Sequence, residues 1–258
     1  MSMDFRVVIP ARYASSRLPG KPLADIGGVP MVVRVARQAE RSGAREVVVA
    51  TDDARVGDAV AAAGHAVRMT RPDHASGSDR VMEVAEACGW PDDAVVVNVQ
   101  GDEPLVPPAA IVQVAELLLG DPGTGVATLC EPIADAERLF DPNVVKVVIG
   151  GDGFARYFSR APIPWARDAF GAAAARSGTL PADGVWYRHI GLYAYRVAAL
   201  RRFVALPSGR LERLEALEQL RLLEHGIDIR VAVTRQPVPG GVDTAADLER
   251  VREAIAGG

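Results

Sequence analysis

The chain has 258 residues, 49% hydrophobic and 24% charged, a composition that supplies a sizeable folded core and disfavours disorder. Its net charge of −4 disfavours a nucleic-acid-binding protein, which usually carries a basic excess. The apolar runs are shorter than a membrane span and no signal-peptide pattern is present, so we expect a cytoplasmic protein without a membrane segment. Its two cysteines, Cys88 and Cys130, lie in apolar stretches, where we expect reduced thiols.

The first half of the chain alternates apolar, β-branched runs with helical patterns. Strands are predicted at 5–11, 46–51, 66–70 and 94–100, and helices at 31–42, 53–63, 78–88 and 107–119. Strands that are apolar on both faces and separated by helices are typical of a parallel sheet covered on both sides. The sequence therefore predicts an α/β fold.

The second half of the chain is less regular. Strands are predicted at 126–133, 144–149, 154–158, 190–195 and 229–234, and a glycine-rich turn at 150–153 indicates an antiparallel hairpin. Leucines at every third position predict one helix over 210–225, and a last helix is predicted at 244–255. Residues 168–184 are rich in Ala, Gly and Ser and are predicted to form a mobile surface insertion. We expect one α/β domain with a smaller, mixed-sheet lobe inserted around residues 130–225.

The loop after the first predicted strand, residues 10–22, concentrates Arg12, Arg17 and Lys21 in an acidic protein. Ligands of open α/β sheets bind beyond the carboxyl ends of the strands, where this loop lies. Cations and backbone N–H groups of such a loop can hold a triphosphate. It is not a Walker A loop, because proline follows Lys21 and the upstream glycine is missing. The alternative is a solvated basic loop.

Two aspartates are candidate magnesium ligands. Asp102 follows the fourth strand and a glycine, a suitable position for a carboxylate that holds Mg²⁺ and substrate phosphates; the alternative is a turn Asp that bonds its own backbone. Glu103 is expected to face away. Asp243 precedes the last helix and is available to a metal if Thr244 caps that helix through Asp247. Alternatively, Asp243 is itself the cap.

Two further segments carry candidate recognition residues. The segment 70–80 places small hydroxyl residues and a glycine at a helix start, which suits a base or ribose, although Ser76 or Ser78 could simply cap the helix. Arginine is a natural partner for a sugar carboxylate, which favours Arg160, in an extended proline-rich segment, as a substrate ligand. Glu218 and Gln219 could equally form the polar face of the predicted helix over 210–225.

The chain resembles the 3-deoxy-manno-octulosonate (KDO) cytidylyltransferases, also called CMP-KDO synthetases. The matching strings, in order, are IPARYASSRLPGKPL, VVVATDD, MTRPDHASGSDR, VVVNVQGDEP, PNVVKVV, YFSRAPIPW, RHIGLYAYR, LEQLR and GVDTAADLERVR. They cover residues 5 to 252, nearly the whole chain. Two features depart from the family pattern: Gly-Ser-Asp-Arg at 77–80 stands where Gly-Thr-Glu-Arg is more usual, and the insertion at 168–184 is longer than expected.

The resemblance implies a Rossmann-like nucleotide-diphospho-sugar transferase fold, a homodimer formed through the inserted lobe, and transfer of CMP from CTP to KDO for lipopolysaccharide synthesis with Mg²⁺. The residues that it implies, by role, are Ala11, Arg12, Arg17, Lys21, Ser76, Gly77, Ser78 and Arg80 for the nucleotide; Gln100, Arg160, His189, Glu218 and Gln219 for the sugar acid; and Asp102 and Asp243 for the metal. Arg12, Lys21 and Asp102 are expected to act in catalysis. The rival functions are a CMP-sialic acid synthetase or another sugar nucleotidyltransferase, and a non-catalytic nucleotide-binding regulator.

Overall fold

A computed structural model describes residues 4–14, 18–170, 180–182 and 184–257 of the chain. The strands are β1 (Phe5–Pro10), β2 (Asp25–Ile26), β3 (Val29–Pro30), β4 (Glu46–Thr51), β5 (Val67–Met69), β6 (Val95–Asn98), β7 (Val126–Pro132), β8 (Lys146–Ile149), β9 (Ala155–Ser159), β10 (Tyr187–Arg196) and β11 (Arg230–Val233). The α-helices are α1 (Met31–Arg41), α2 (Ala54–Ala62), α3 (Gly77–Ala87), α4 (Pro108–Leu119), α5 (Ala136–Phe140), α6 (Val197–Ala205), α7 (Arg210–Glu215), α8 (Leu220–Glu224) and α9 (Ala245–Ala256). A 3₁₀ turn covers Lys21–Leu23.

The larger sheet in the described residues has the strand order β11-β7-β10-β6-β1-β4-β5. The strands β6, β1, β4 and β5 pair in parallel, as predicted, and β11 pairs in parallel with β7. The long strand β10 runs antiparallel between β6 and β7. The predicted hairpin is confirmed, because β8 and β9 pair antiparallel and β8 also pairs with the start of β10. Part of the lobe expected around residues 130–225 therefore continues the central sheet.

The core lies on both faces of this sheet, because successive side chains of a strand point to opposite faces. On β1, Val7 and Ile9 pack with α1 and α4, whereas Val8 packs on the other face with α3 and α6. All three side chains are fully buried. Because helices cover both faces of the sheet, polar and apolar residues do not alternate along the strands of the first half.

The single helix predicted over 210–225 is wrong. The structure has α7 and α8, separated at Ala216, which has left-handed backbone angles (φ 49°, ψ 50°). A spacing of three residues falls short of the 3.6 residues of a helical turn, so leucines at that spacing drift around a helix instead of sharing one face. Leu214 is accordingly 72% exposed, while Leu217 and Leu220 are buried after the break.

The other predicted elements are confirmed to within about two residues at each end, except β10, which begins at Tyr187 rather than at residue 190. Helices α5 and α6 were not predicted. Most of the insertion predicted at 168–184 lies outside the described residues. In the part of the chain that the structure describes, no helix has both the length and the apolar character needed to cross a membrane.

Candidate active site

A cleft opens at the carboxyl edge of the parallel strands, where β1 ends at Pro10 and β6 at Asn98. It brings together most of the residues predicted for the nucleotide and the metal. The predicted residues that line it are Ala11, Arg12, Lys21, Ser76, Gly77, Arg80, Gln100, Asp102 and Asp243. Arg17, the remaining cation of the predicted phosphate loop, lies outside the described residues.

Gly101 allows the two loops of this cleft to approach closely. A Cβ at this position would lie 2.8 Å from the carbonyl oxygen of Pro10 and 3.1 Å from the Cβ of Ala11. Real side chains do not tolerate the first of these distances, so only glycine fits without movement of the backbone. The glycine thus sets how near Asp102 lies to the loop after β1.

Asp102 and Asp243 lie together, as the sequence predicts for a metal pair. The N–H of Val242 donates to the carbonyl oxygen of Asp102 at 2.8 Å and joins the two segments. Thr244 caps α9 in a capping box with Asp247, so the alternative in which Asp243 is the cap is wrong. The Asp247 carboxylate also accepts from the N–H of Asp243 at 3.0 Å, which fixes the backbone there.

The ammonium group of Lys21 bridges these two carboxylates. Its Nζ lies 2.6 Å from Oδ2 of Asp102 and 3.2 Å from Oδ1 of Asp243. The Lys21 side chain is only 14% exposed, so this contact is less screened than a surface ion pair. A cation therefore already sits between the two carboxylates.

The segment after β5 forms one wall of the cleft. Ser76 caps α3 in a capping box with Asp79, so that alternative for Ser76 is confirmed. Arg80 reaches the cleft but is only 3% exposed; its guanidinium donates to Asp52 at 3.0 Å, to the hydroxyl of Thr70 and to the carbonyl of Arg71. Three of its five N–H donors are taken by these partners, so Arg80 holds the wall in place.

A second cavity adjoins the cleft at Gln100, which lines both. It contains four of the residues predicted for the sugar acid, together with Ser78, which was predicted for the nucleotide. The predicted residues that line it are Ser78, Gln100, His189, Glu218 and Gln219. Glu218 and Gln219 lie in the turn between α7 and α8, so the alternative that they form the polar face of a continuous helix is wrong.

Buried polar atoms without a hydrogen-bond partner among the described residues cluster in this second cavity. They are Oδ1 of Asn98, the hydroxyl of Tyr193, Oε1 of Glu218 and Nε2 of Gln219. Burial raises the pKa of Glu218, although Arg221 and hydrogen bonds from Ser76 and Ser78 oppose the rise. Unpaired buried polar groups are costly, so their concentration indicates a site for a polar ligand. Asn98 and Tyr193 were not predicted; the end position of the buried β6 was the available signal for Asn98.

Arg160 lies outside the residues that line either cavity. Its guanidinium donates to the carbonyl oxygens of Pro142 at 2.9 Å, Glu215 at 2.7 Å and Ala216 at 3.4 Å. Its backbone N–H donates to the Glu215 carboxylate at 3.0 Å. In this structure Arg160 therefore holds the start of the turn that carries Glu218 and Gln219.

Glu103 was expected to face away, but it lines a third cavity that also contains Asp243, Glu131 and Arg188. Burial, with the charges of Asp102 and Asp243, raises the pKa of Glu103 to about 7. Burial also opposes ionisation of Glu131, but Arg188, at 2.8 Å, and Arg138, at 3.1 Å, outweigh it and the pKa of Glu131 is lowered. The sequence offered no signal for this group because its members are far apart in the chain.

Comparisons with known proteins identify the family of the chain. Residues 6–229 match the cytidylyltransferase family model. A 3-deoxy-manno-octulosonate cytidylyltransferase from Xanthomonas axonopodis pv. citri is 56% identical over 98% of this chain and 96% of its own length. The enzyme of the same name from Nitrosococcus oceani is 53% identical over 98% of this chain and 97% of its own.

The solved structures agree as well. The CMP:2-keto-3-deoxy-manno-octonic acid synthetase complexed with CTP is 43% identical and superposes with a TM-score of 0.89, over 99% of both chains. This match confirms the predicted nucleotidyltransferase fold. The chain therefore belongs to the cytidylyltransferase family and, within it, to the 3-deoxy-manno-octulosonate cytidylyltransferases.

Proposed function

We propose that this protein transfers the cytidylyl group of CTP to the anomeric hydroxyl of KDO and releases pyrophosphate. The observation that carries the proposal is the junction of two cavities at Gln100: a cleft with cations and paired carboxylates, and a cavity with unpartnered buried polar atoms. Nucleotidyl transfer requires a triphosphate and an acceptor side by side. Near-full-length relatives named for this reaction support the choice of substrates.

The triphosphate is assigned to the cleft. Arg12 is exposed at its edge and Lys21 lies within it, so both can neutralise negative charge on the phosphates. Charge that builds on the leaving pyrophosphate is stabilised by the same side chains, which need not be reorganised during the reaction. Arg17 is proposed to assist them.

Asp102 and Asp243 are proposed to hold Mg²⁺. The residues fit the ion, because the Lys21 ammonium group already lies between the two carboxylates as a stand-in cation. Mg²⁺ usually takes one or two carboxylates and completes its shell with water and phosphate oxygens, so a pair is sufficient. When bound, Mg²⁺ supplies charge stabilisation for the phosphates and lowers the pKa of a coordinated hydroxyl.

The sugar acid is assigned to the second cavity. Glu218, Gln219, Asn98 and Tyr193 bring unpartnered polar atoms to it, which sugar hydroxyls can satisfy. Gln100, at the junction, is placed to contact both substrates. The acceptor hydroxyl then attacks the α-phosphorus in line with the departing pyrophosphate. Positioning and charge neutralisation account for most of the rate, since phosphoryl-type transfer leaves the protein little covalent work.

The wider biological role is also part of the proposal. The product, CMP-KDO, would supply lipopolysaccharide synthesis in the cytoplasm. A homodimer formed through the lobe around residues 130–225 would carry out the reaction. The family resemblance supports these three points.

Pyrophosphate release tests the function. The protein is incubated with Mg²⁺ and either CTP or UTP, together with KDO, N-acetylneuraminate or no sugar. We expect pyrophosphate only with CTP and KDO. Release with N-acetylneuraminate and not with KDO would instead support a sialic acid enzyme, and no release in any arm would support a nucleotide-binding regulator.

The variant Asp102→Asn tests the metal assignment in the same assay. We expect kcat to fall by about two to four orders of magnitude without loss of the fold, because the transition state loses a metal-holding charge. Asp58→Asn is the matched control: Asp58 is exposed on α2, outside the residues that line the cavities described above. Near-wild-type turnover by Asp102→Asn would contradict the assignment.

A further inference from the structure

His189 lies on β10, where it lines both the second and the third cavity, with its ring next to two aromatic side chains. Phe158 meets it edge-on with ring centroids 4.9 Å apart, and Tyr193 lies 5.3 Å away. Burial and the nearby charge of Arg188 lower the pKa of His189 to about 3. The imidazole is therefore neutral at physiological pH and offers one donor and one acceptor.

Thr128, on the neighbouring strand β7, hydrogen-bonds this ring. Its side chain is fully buried, and Oγ1 lies 3.2 Å from Nε2 of His189. The same oxygen lies 3.0 Å from the carbonyl oxygen of Ile190 and 2.9 Å from that of Leu192. A register shift between Ile190 and Tyr193 interrupts the pairing of β10 with β7 at this point, as in a β-bulge. One hydroxyl thus meets two carbonyl groups and one ring nitrogen, and its interaction with the Tyr193 hydroxyl partly opposes the rise that burial causes in the pKa of Tyr193.

The number of protons fixes the direction of these hydrogen bonds. A threonine hydroxyl has one hydrogen to donate, whereas carbonyl oxygens only accept. Both carbonyl oxygens are nearer to Oγ1 than the ring nitrogen is, so the hydroxyl donates to a carbonyl and accepts from Nε2–H of His189. Among the described residues, no other hydrogen bond to the ring of His189 is formed. Nδ1 is then unprotonated.

We propose that Thr128 is a positioning residue that fixes His189 in its Nε2–H tautomer, so that Nδ1 accepts a hydrogen bond from a hydroxyl of the bound sugar acid. A carboxylate has no proton to donate to Nδ1, so His189 recognises a hydroxyl group of the sugar acid and not its carboxylate. The identity of the ligand rests on the proposed function. The tautomer does not.

Nitrogen NMR of the ligand-free protein, labelled with ¹⁵N-histidine, tests the tautomer directly. The chain has four histidines, and His189→Gln assigns the signal of interest. We expect a protonated Nε2 and an unprotonated Nδ1 in the wild-type protein and in Thr128→Ser, which keeps the hydroxyl. Thr128→Val, which removes the hydroxyl, is expected to show a mixture of both tautomers. Thr128→Ser loses a methyl group but keeps the hydroxyl, so an effect of packing alone would not spare this variant.

Steady-state kinetics of the same variants adds a second readout. Thr128→Val should raise KM for KDO about twofold, because only about half of a mixed population keeps Nδ1 as an acceptor, with KM for CTP almost unchanged. Thr128→Ser should stay near the wild type.

A protonated Nδ1 in the wild-type protein would overturn the proposal, whether or not Thr128→Val folds. An unchanged tautomer and KM in folded Thr128→Val would also overturn it. If KDO is not a substrate but the tautomer is as expected, the proposed function fails and the assignment of Thr128 stands.

Discussion

Lys146 offers a prediction that links the stability of the fold to the sugar site. It begins β8, and its side chain is completely buried. Its ammonium group donates to the carbonyl oxygens of Asp141 at 2.9 Å, Val144 at 2.5 Å and Arg160 at 2.6 Å. One charged group therefore joins the loop before β8 to the segment after β9, which contacts the turn carrying Glu218.

The substitution Lys146→Met keeps the length of the side chain and removes the charge. It leaves the part-buried carbonyl groups of Val144 and Arg160 without this donor, at about 1 to 3 kcal/mol each, whereas that of Asp141 still accepts from the N–H of Val144 at 3.2 Å. Relief from burying an ammonium group offsets part of this cost, since burial, assisted by the nearby charge of Arg160, lowers the pKa of Lys146. We therefore expect a loss of about 2 to 4 kcal/mol in the free energy of unfolding, the cost of two unpaired carbonyl groups less the relief from burying the charge.

Urea denaturation followed by circular dichroism measures this loss, with Lys146→Arg as the control that keeps the charge. At a urea concentration where Lys146→Met remains folded, KM for KDO should rise more than KM for CTP, because Arg160 and the 215–219 turn lose their anchor. A loss below about 1 kcal/mol, within the ordinary range of a single hydrogen bond, would refute the reasoning.

Two further predictions concern the loop after β6. Gly101→Ala should lower kcat/KM about tenfold or more, because the added Cβ meets the carbonyl oxygen of Pro10 at 2.8 Å and displaces Asp102; an unchanged value would show that the close approach is not required. Glu103→Gln should stabilise the metal-free protein above pH 7. The unfolded chain releases the Glu103 proton near pH 4.5 and the folded chain near pH 7, so wild-type stability falls across that interval, by up to about 3 kcal/mol. Urea titrations at pH 4.5 and pH 8 with EDTA should show the variant gaining only at pH 8, whereas Glu253→Gln, an exposed control, should gain at neither.

The parallel half of the fold was predictable because its strands are buried on both faces and their apolar runs stand out. Helix α6 was missed although Val197, Leu200 and Phe203 recur at helical spacing and are all buried. The break at Ala216 could not be predicted, because left-handed backbone angles are unusual for alanine and have no local signature in the sequence. Propensity alone favoured one continuous helix there.

The site was predictable where one short segment concentrates charge or small residues, as in the loop with Arg12 and Lys21. The bridge from Lys21 to Asp102 and Asp243 depends on the fold, since Asp243 lies 222 residues from Lys21. The same holds for Asn98, whose importance comes from the cavity beside it. Arg160 illustrates the same point, because its contacts with backbone carbonyl groups could not be predicted from its residue type.

The most direct test of the central claim is identification of the product. CTP and KDO labelled with ¹³C at the anomeric carbon are mixed with the protein and Mg²⁺, and the reaction is followed by ¹³C and ³¹P NMR. We expect a phosphodiester whose phosphorus couples to the labelled carbon, formed in equal amount with pyrophosphate. Consumption of CTP without that coupling, or no reaction at all, would contradict the assignment.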